Sequence, residues 1–421
     1  MKKTIITISA FLFCNLLLAQ TAGQKKILFD AAHAETSGNG DWCIDSDIQN
    51  LHWGNGYVNT SGTESNPQQY PTATQTAVTT ATAETYWEGA LSYWAIDCVN
   101  QGYWVETLPY NGYLTYGTGN TQDLSKYDVL IIDEPNTLLS TAEKTAVMNF
   151  VKNGGGLFII SDHTNSDRNG DGHDSPNILN DLITNNTVQN NAFGFVFQLQ
   201  NFSDASYTSN VASSTSDSIT HGPFGVVTEV KWSNGTCMTI TPANNPSAKG
   251  HTWKNGKGQT DTAVTCVTAH YGCGKVAAIG DSSPPDDGTG NPAASLYTGY
   301  TGDASGHHRP WLMNIVIWLA GPTTCTTAGI NNSVTEGNEL SLYPNPAHDK
   351  VIINFTNTSD NNAVLSLLNL NGQVVNATQT HQKNNDKDVF VIDTTPLAAG
   401  VYYCKVQVND KTSVKKLVVV K

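Results

Sequence analysis

The sequence predicts an α/β protein with a doubly wound, mostly parallel sheet, followed by a small all-β sandwich. Three observations predict it. Between residues 25 and 320, short apolar strand patterns alternate with helical ones, as in a parallel sheet covered by helices on both faces. From 321 to 337 the composition turns small and polar, which reads as a linker. From 338 to 421, short runs of alternating hydrophobicity follow one another with turn signals between them. The 421 residues suffice for two or three domains and a sizeable core.

Residues 1–23 have the order of a secretory signal peptide. Lys2 and Lys3 precede an apolar stretch over 5–18, and small residues for cleavage stand at Ala19 and Gly23. The stretch is too short to favour a membrane span, so the mature chain is expected to have no transmembrane segment. Cys14 lacks the small residues that precede a lipid-modified cysteine.

Within 25–320, strands are expected at 25–29, 103–108, 127–132 and 157–161. A hairpin is expected from 262–269 and 275–279. Helices are expected at 83–100, after the capping box Ser140-Thr-Ala-Glu143, from Ser175-Pro176, and from Arg309-Pro310 to residue 320. After the linker, strands are expected at 340–343, 350–355, 363–369, 373–376, 389–392, 401–408 and 414–420, with a turn at Asn371-Gly372.

The net charge of −14 is uneven. Residues 25–338 hold −17, whereas 339–421 hold +1. An acidic body argues against nucleic acid and anionic membranes as partners, and favours cations. The chain has two arginines, Arg168 and Arg309. Seven cysteines remain beyond the signal segment, an odd number in an export context that permits disulfides. Cys266 and Cys273 flank the hairpin and are candidates to pair.

Parallel sheets place ligands outside the carboxyl ends of their strands. There the sequence sets Asp30 with His33 and Glu35, Asp133-Glu134, Asp162-His163, and Asp281-Ser-Ser with Asp286-Asp287. So many carboxylates on one rim repel one another, and a divalent metal, calcium or zinc, relieves that repulsion. Asp30, His33, Asp162 and His163 are the candidate metal ligands. Glu35 and Asp281 are candidate general bases for a metal-bound water. Arg309, beside His307 and His308 at a helix start, is the candidate holder of an oxyanion. A single Asp after a strand is more often a turn former than a ligand, so the coincidence over several strand ends carries the weight.

Asp167, Asn169 and Asp171 with Gly172 fit the first half of a calcium loop, and Asp174 is the candidate last ligand, although no Glu stands at the twelfth position. His221 is a weaker candidate ligand. Trp42, Trp53, Tyr57, Tyr86 and Trp87 supply aromatic surface for a carbohydrate cleft, or for the core.

The C-terminal part resembles the sorting domain of type IX secretion cargo, through Leu342-Tyr-Pro-Asn-Pro-Ala347, Leu367-Leu-Asn-Leu-Asn-Gly-Gln373, Leu397-Ala-Ala-Gly-Val-Tyr-Tyr403 and the Lys-rich strand at 411–421. The resemblance implies recognition by the type IX secretion machinery and passage through the periplasm to the outer surface or medium. It also implies removal of the domain, with attachment to surface lipopolysaccharide or release.

The α/β part resembles, at the level of fold only, the class I glutamine amidotransferase-like domains. Tyr127-Asp-Val-Leu-Ile-Ile132, Asn153-Gly-Gly-Gly-Leu-Phe-Ile-Ile160 and Gly280-Asp-Ser282 carry the likeness. Where those enzymes have a nucleophilic Cys, this chain has Ser161-Asp162-His163, so the thiol mechanism does not transfer. Ser161, His163 and Asp162 have the residue types of a nucleophilic triad, but neighbours in sequence point different ways, and no G-x-S-x-G is present.

Three functions are compatible with these residues. One is a secreted metal-dependent hydrolase of ester, amide or glycan-linked groups. Another is a non-catalytic, calcium-stabilised surface binding protein. The third is a glycoside hydrolase working through a carboxylate pair.

Overall fold

The computed structural model describes residues 23–35, 42–45, 71–202, 207–289, 297–303, 306–323, 325, 340–357, 362–369, 374–408 and 411–421. The signal segment, Trp53, Tyr57, the turn at Asn371-Gly372 and most of the linker lie outside the described residues.

The chain divides into two compact units, 1–326 and 327–421. In the first, β1 (Lys26–Asp30), α1 (Ser92–Asn100), β2 (Trp104–Leu108), β3 (Val129–Asp133), α2 (Thr141–Lys152), β4 (Gly156–Ile160) and α3 (Ser175–Thr184) alternate as expected. The remaining strands are β5 (Phe195–Phe202), the two-residue β6 (Tyr207–Thr208), β7 (His221–Gly222), β8 (Gly225–Val226) and β9 (Val230–Lys231), then β10 (Gly235–Ile240), β11 (Lys249–Trp253), β12 (Val264–Tyr271) and β13 (Gly274–Ile279). The short α4 (Gly299–Gly302) and the long α5 (His308–Ala320) close the unit.

The main sheet runs β2-β1-β3-β4-β13-β12-β10-β5, with β11 also on β12. The first five strands are parallel, and the rest are antiparallel. The chain steps from β1 out to β2 and back to β3, so the order reverses between β1 and β3. The sheet is thus mostly parallel, as expected, with an antiparallel extension. Its strands lie in 195–271, where Asn, Thr and Ser interrupt the apolar runs that mark a doubly covered strand.

Both faces of the parallel half are buried. Leu28, Leu130, Ile132, Leu157 and Ile159 face the layer of α2 and α3. Ile27, Phe29, Ile131, Phe158 and Ile160 face α1 and α5, where Trp94 packs edge-on between Phe29 and Phe158. The capping box at α2 is formed as expected, Ser140 accepting from Glu143 N and Glu143 reaching back to Ser140 N. The helix expected at 83–100 is shorter, and ahead of it the chain passes Gly89 against the Cys43 carbonyl. A Cβ there would stand 2.0 Å from that oxygen, and the helix begins only at Ser92.

Cys266 and Cys273 do not pair. Cys273, in the β12–β13 turn, is bonded to Cys325 in the expected linker, and Cys266 is a buried free thiol. Cys266 sits mid-strand opposite Ile279, seven residues from Cys273, out of reach of the turn.

The second unit is a two-sheet sandwich. One sheet has the order β14 (Leu340–Tyr343), β15 (Lys350–Thr356), β18 (Lys387–Asp393), β17 (Gln379–Asn384), and the other β16 (Val364–Leu368), β19 (Gly400–Val408), β20 (Lys411–Val419). Val351, Ile353, Phe355, Leu365, Leu367, Phe390, Ile392, Cys404 and Val406 fill its core. Cys404 is a free thiol within that core. The strand expected at 373–376 is reduced to one bridge, Leu368 with Val374, while β17 was not foreseen because Gln-Thr-His-Gln-Lys-Asn has no apolar face.

Candidate functional site

The carboxyl ends of β1, β3, β4 and β13 carry the expected acidic rim, and the rim is buried. Asp30, Glu35, Asp133, Glu134, Asp162, Asp281, Asp286 and Asp287 are each at most 4% exposed. Backbone bonds join the loops. His33 O accepts from Asn136 N and Thr137 N, Glu134 N donates to Ile160 O, and Ser161 N donates to Ile279 O. Gly280 lets β13 leave close to β10, since a Cβ there would lie 1.8 Å from Thr236 O.

The rim does not gather Asp30, His33, Asp162 and His163 around one metal. β3 separates β1 from β4, so their ends stand two strand spacings apart, roughly 10 Å. The four residues fall into two pairs. His33 Nδ1 bonds Asp30 Oδ2 at 2.7 Å, and its Nε2 faces Glu143 Oε1 at 3.3 Å. Burial opposes charge on this imidazole, but Asp30 and then Glu143 outweigh it and hold its pKa well above the usual value. Both nitrogens are engaged by carboxylates, so His33 is a buried cation tying the β1 loop to the start of α2. Asp30, His33 and Glu35 do converge within 4.8 Å. Glu35 Oε2 accepts from His33 N, and Oε1 has no partner. Burial, then the Asp30 charge, raise the Glu35 pKa.

The second pair faces a cleft of about 160 Å³ lined by Trp42, Asp162, His163, Arg168, Asn234, Ser282, Ser283 and Tyr297. Arg168 organises it. Its Nε donates to Glu134 Oε1 at 2.6 Å, its Nη2 donates to Asp162 Oδ2 at 3.2 Å, and its guanidinium lies 6.0 Å from the Trp42 ring centroid. Ser282 Oγ donates to the other Glu134 oxygen at 2.7 Å, and Trp42 Nε1 donates to Ser282 O. Glu134 has φ of 48°, a left-handed conformation that costs a non-glycine residue about 1 kcal/mol and aims the side chain between β4 and β13. Burial, then the Glu134 and Asp281 charges, push the Asp162 carboxyl well above the usual range. His163 is partly exposed. Its Nδ1 donates to Thr164 O, leaving Nε2 3.5 Å from Asp162 Oδ2.

Asp281 stays behind the cleft, where burial lifts its pKa to about 6 although Ser283 N and Ser233 N donate to it. As a general base it is poorly placed, because both oxygens are taken by backbone. Arg309 is not in the cluster. It forms a two-bond pair with Asp97, 2.7 Å each, over the rings of Tyr93 and Phe224, in a different cavity. His308 is a buried tie: its Nδ1 donates to Gly299 O, and its Nε2 accepts from Lys231 N. His307 accepts from Thr228 N, and His221 contacts Thr220 Oγ1. The His307-His308-Arg309 run thus ties the start of α5 to Thr228, Lys231, Gly299 and Asp97.

The 167–174 segment is a self-bonded turn. Asp167 accepts from Gly172 N, Asp171 from His173 N, and Asp174 from Asn165 N and Asn177 Nδ2. Asn169 turns its amide nitrogen toward Asp171 and the Asn136 carbonyl, while its Oδ1 accepts from Asp171 N. The segment carries Arg168, whose guanidinium reaches Glu134 and Asp162. Ser161 Oγ contacts Ser175 Oγ and its neighbour's carbonyl, not His163, so no Ser161–His163–Asp162 triad forms. Of the candidate aromatics, Trp42 lines the cleft and Trp87 is in the core. Sequence reasoning missed Glu134, Arg168 and Ser282 as one linked set. The only signal was that Glu134 and Ser282 also follow strands.

The chain is thus a two-unit protein, an α/β body with a carboxylate-walled cleft and a β-sandwich tail. The tail places it: residues 341–420 match the family described as Secretion system C-terminal sorting domain, so this is a secreted or outer-surface protein that engages the type IX secretion machinery. No helix of the described residues is long and apolar enough to cross a membrane. No curated protein matches the chain significantly. Among solved structures, it is similar to "mmIFT52 N-terminal domain" at 11% identity and a TM-score of 0.39, over 55% of this chain and 91% of that one. It is also similar to the complex of titin M10 and obscurin-like 1 Ig at 14% identity and a TM-score of 0.14, over 20% of this chain and 93% of that one. The expected likeness to amidotransferases finds no support among these structures.

Proposed function

We propose that the α/β unit is a hydrolase of ester, amide or glycan-linked groups, working outside the cell at the Asp162–Ser282 cleft. The observation that carries this reading is Asp162 itself. A buried carboxyl whose pKa is raised lines a cleft beside a second carboxyl, Glu134, that is ion-paired to Arg168. A carboxyl that keeps its proton, beside an imidazole on the same cleft wall, is the pairing that acid–base hydrolysis uses. Asp162 serves as proton donor to the leaving group. His163 Nε2 accepts the proton of the attacking water. Arg168 stabilises negative charge that develops beside it. Trp42 and Tyr297 offer flat faces to a ring-shaped substrate group. Surface lipopolysaccharide is the proposed anchor once the sorting domain is removed.

Assay of the secreted protein against chromogenic glycosides, esters and amides tests this. Asp162→Asn is expected to lower kcat on the order of a hundredfold with KM little changed. Because Asp162 must hold its proton, wild-type activity falls as pH rises through its raised pKa, and D162N lacks that limb. Unchanged turnover in D162N, or no turnover of any substrate by the wild type, would sink the proposal.

A further inference from the structure

A second cavity, of about 210 Å³, opens between α1, the start of α5 and the β7–β8 turn. Arg309 is at its centre and is held from several sides. Asp97, 3% exposed, accepts from its Nε and Nη2 at 2.7 Å each, and Tyr300 Oη donates to the same carboxylate at 2.7 Å. Two rings flank the guanidinium, the Tyr93 centroid 4.8 Å away and the Phe224 centroid 5.7 Å away. Phe224 is itself anchored, because its N–H donates to Asn314 Oδ1 of α5 at 2.9 Å. A partly exposed ion pair adds little stability, yet this one is oriented with care, and its outer nitrogen, Nη1, has no partner among the described residues. The other lining groups are also open to a ligand. Asn100 donates through Nδ2 to Thr79 O, which leaves its side-chain oxygen as an acceptor. The Tyr93 hydroxyl and the Gln101 amide make no hydrogen bond among the described residues.

We propose that this cavity binds one neutral pyranose residue of a glycan, at a site separate from the Asp162–Ser282 cleft. Sugar hydroxyls each donate and accept, so they need a wall that offers both functions. Arg309 Nη1 supplies donors, Asn100 Oδ1 an acceptor, and Gln101 both. The half-buried rings of Tyr93 and Phe224 supply apolar surface for the C–H face of the sugar. An anion fits less well. The charge of Arg309 is already matched by Asp97, and no other cation lines the cavity among the described residues. The volume is below the roughly 300–1,000 Å³ of pockets for larger ligands, so it suits a single ring. The site takes no part in the proton transfers assigned to Asp162 and His163, and it does not depend on the hydrolase reading. With that reading it is a subsite that holds the glycan away from the reacting bond; without it the site still binds.

The test is direct binding to the full mature chain, read by saturation-transfer NMR and calorimetry. The probes are the methyl glycosides of glucose, galactose, mannose and N-acetylglucosamine, with methyl glucuronide and inorganic phosphate as charged comparators. At least one neutral glycoside is expected to bind, with a Kd in the millimolar range that so small a ligand allows. Arg309→Lys keeps a cation beside Asp97 but loses the planar fork, and is expected to weaken binding on the order of fivefold or more. Phe224→Ala is expected to do the same. Gln101→Ala, at an exposed position, is expected to weaken binding too, and decides the matter if R309K or F224A does not melt cooperatively. Tyr297→Ala, in the other cleft, is expected to leave this binding unchanged. Because binding is read without turnover, an inactive cleft would sink the hydrolase reading and leave this one standing. The proposal is overturned if no neutral glycoside binds, or if the folded variants among R309K, F224A and Q101A keep the wild-type affinity. It is also overturned if Y297A alone abolishes binding, or if glucuronide or phosphate binds more tightly than every neutral glycoside.

Discussion

His33 illustrates how a residue's neighbours decide its chemistry. On sequence alone, a His three residues after a strand-ending Asp has the spacing of a metal ligand. In the fold, α2 brings Glu143 to its other nitrogen, and the ring becomes a charged link between two carboxylates. Breaking one end of a buried ion pair is costly because the other charge is stranded. A double-mutant cycle tests this with His33→Ala and Glu143→Gln, since Gln keeps the oxygen that closes the capping box and replaces with an amide group the Oε1 that faces His33 and accepts from Leu114 N. Urea denaturation is expected to return a coupling energy of about 1–3 kcal/mol. Coupling near zero would mean the 3.3 Å contact contributes nothing. The pH dependence follows from the two shifts. Glu143, which burial would raise, is pulled down to about 2 by His33, so its contribution is complete above about 4.5 and lost as pH falls toward 2. The His33 contribution is complete below about 6.5 and lost as pH rises through its raised pKa. The wild-type advantage over H33A is therefore greatest between those limits. Asp162 and His163 were legible as candidates because they directly follow a strand. The Glu134–Arg168–Ser282 link was not, because it depends on a left-handed backbone at Glu134 and on a turn that resembled a calcium loop.

Among the elements, those with strong local signals were legible in sequence. β1 to β4, the capped α2, the Pro-led α3 and α5 stand within a few residues of their expected bounds. Each has an apolar run or a cap that requires no distant partner. The antiparallel strands β5, β10 and β11 were not legible, since their apolar residues are mixed with Thr, Asn and Gln and their pairing is long-range. The disulfide belongs to the same class. Cys325 lies in a stretch whose composition reads as free linker, yet it is bonded to the β12–β13 turn and holds the exit of α5 against that hairpin. The bridge spans 52 residues, so its loss is expected to cost about 4 kcal/mol by the loop-entropy relation. Cys325→Ser should show this as an earlier urea midpoint under oxidising conditions. Adding reductant should shift the wild type to match and leave C325S unmoved. A wild type indifferent to reductant would show that the bridge does not stabilise this element.

For the molecule as a whole, the uneven charge and the division into units describe one separation. The −17 belongs to 25–338, while the sandwich is close to neutral. The buried share of that acid is concentrated at the carboxyl ends of four strands. Each unit has its own apolar core: two layers around the large sheet in the first, and one between two small sheets in the second. The boundary at 326 falls one residue after Cys325, so the disulfide lies within the first unit. Folding and address are thus expected to be separable. A chain ending at Thr326 should keep the cooperative melt and the cleft activity of the full protein, because no element of the main sheet is removed. It should also fail to reach the surface or the medium, because the sorting domain that engages the export machinery is gone. Cell fractionation with melting of the recovered protein checks both halves. A truncated chain found outside the cell would assign export to the first unit, and one without a cooperative transition would show that the first core depends on the second.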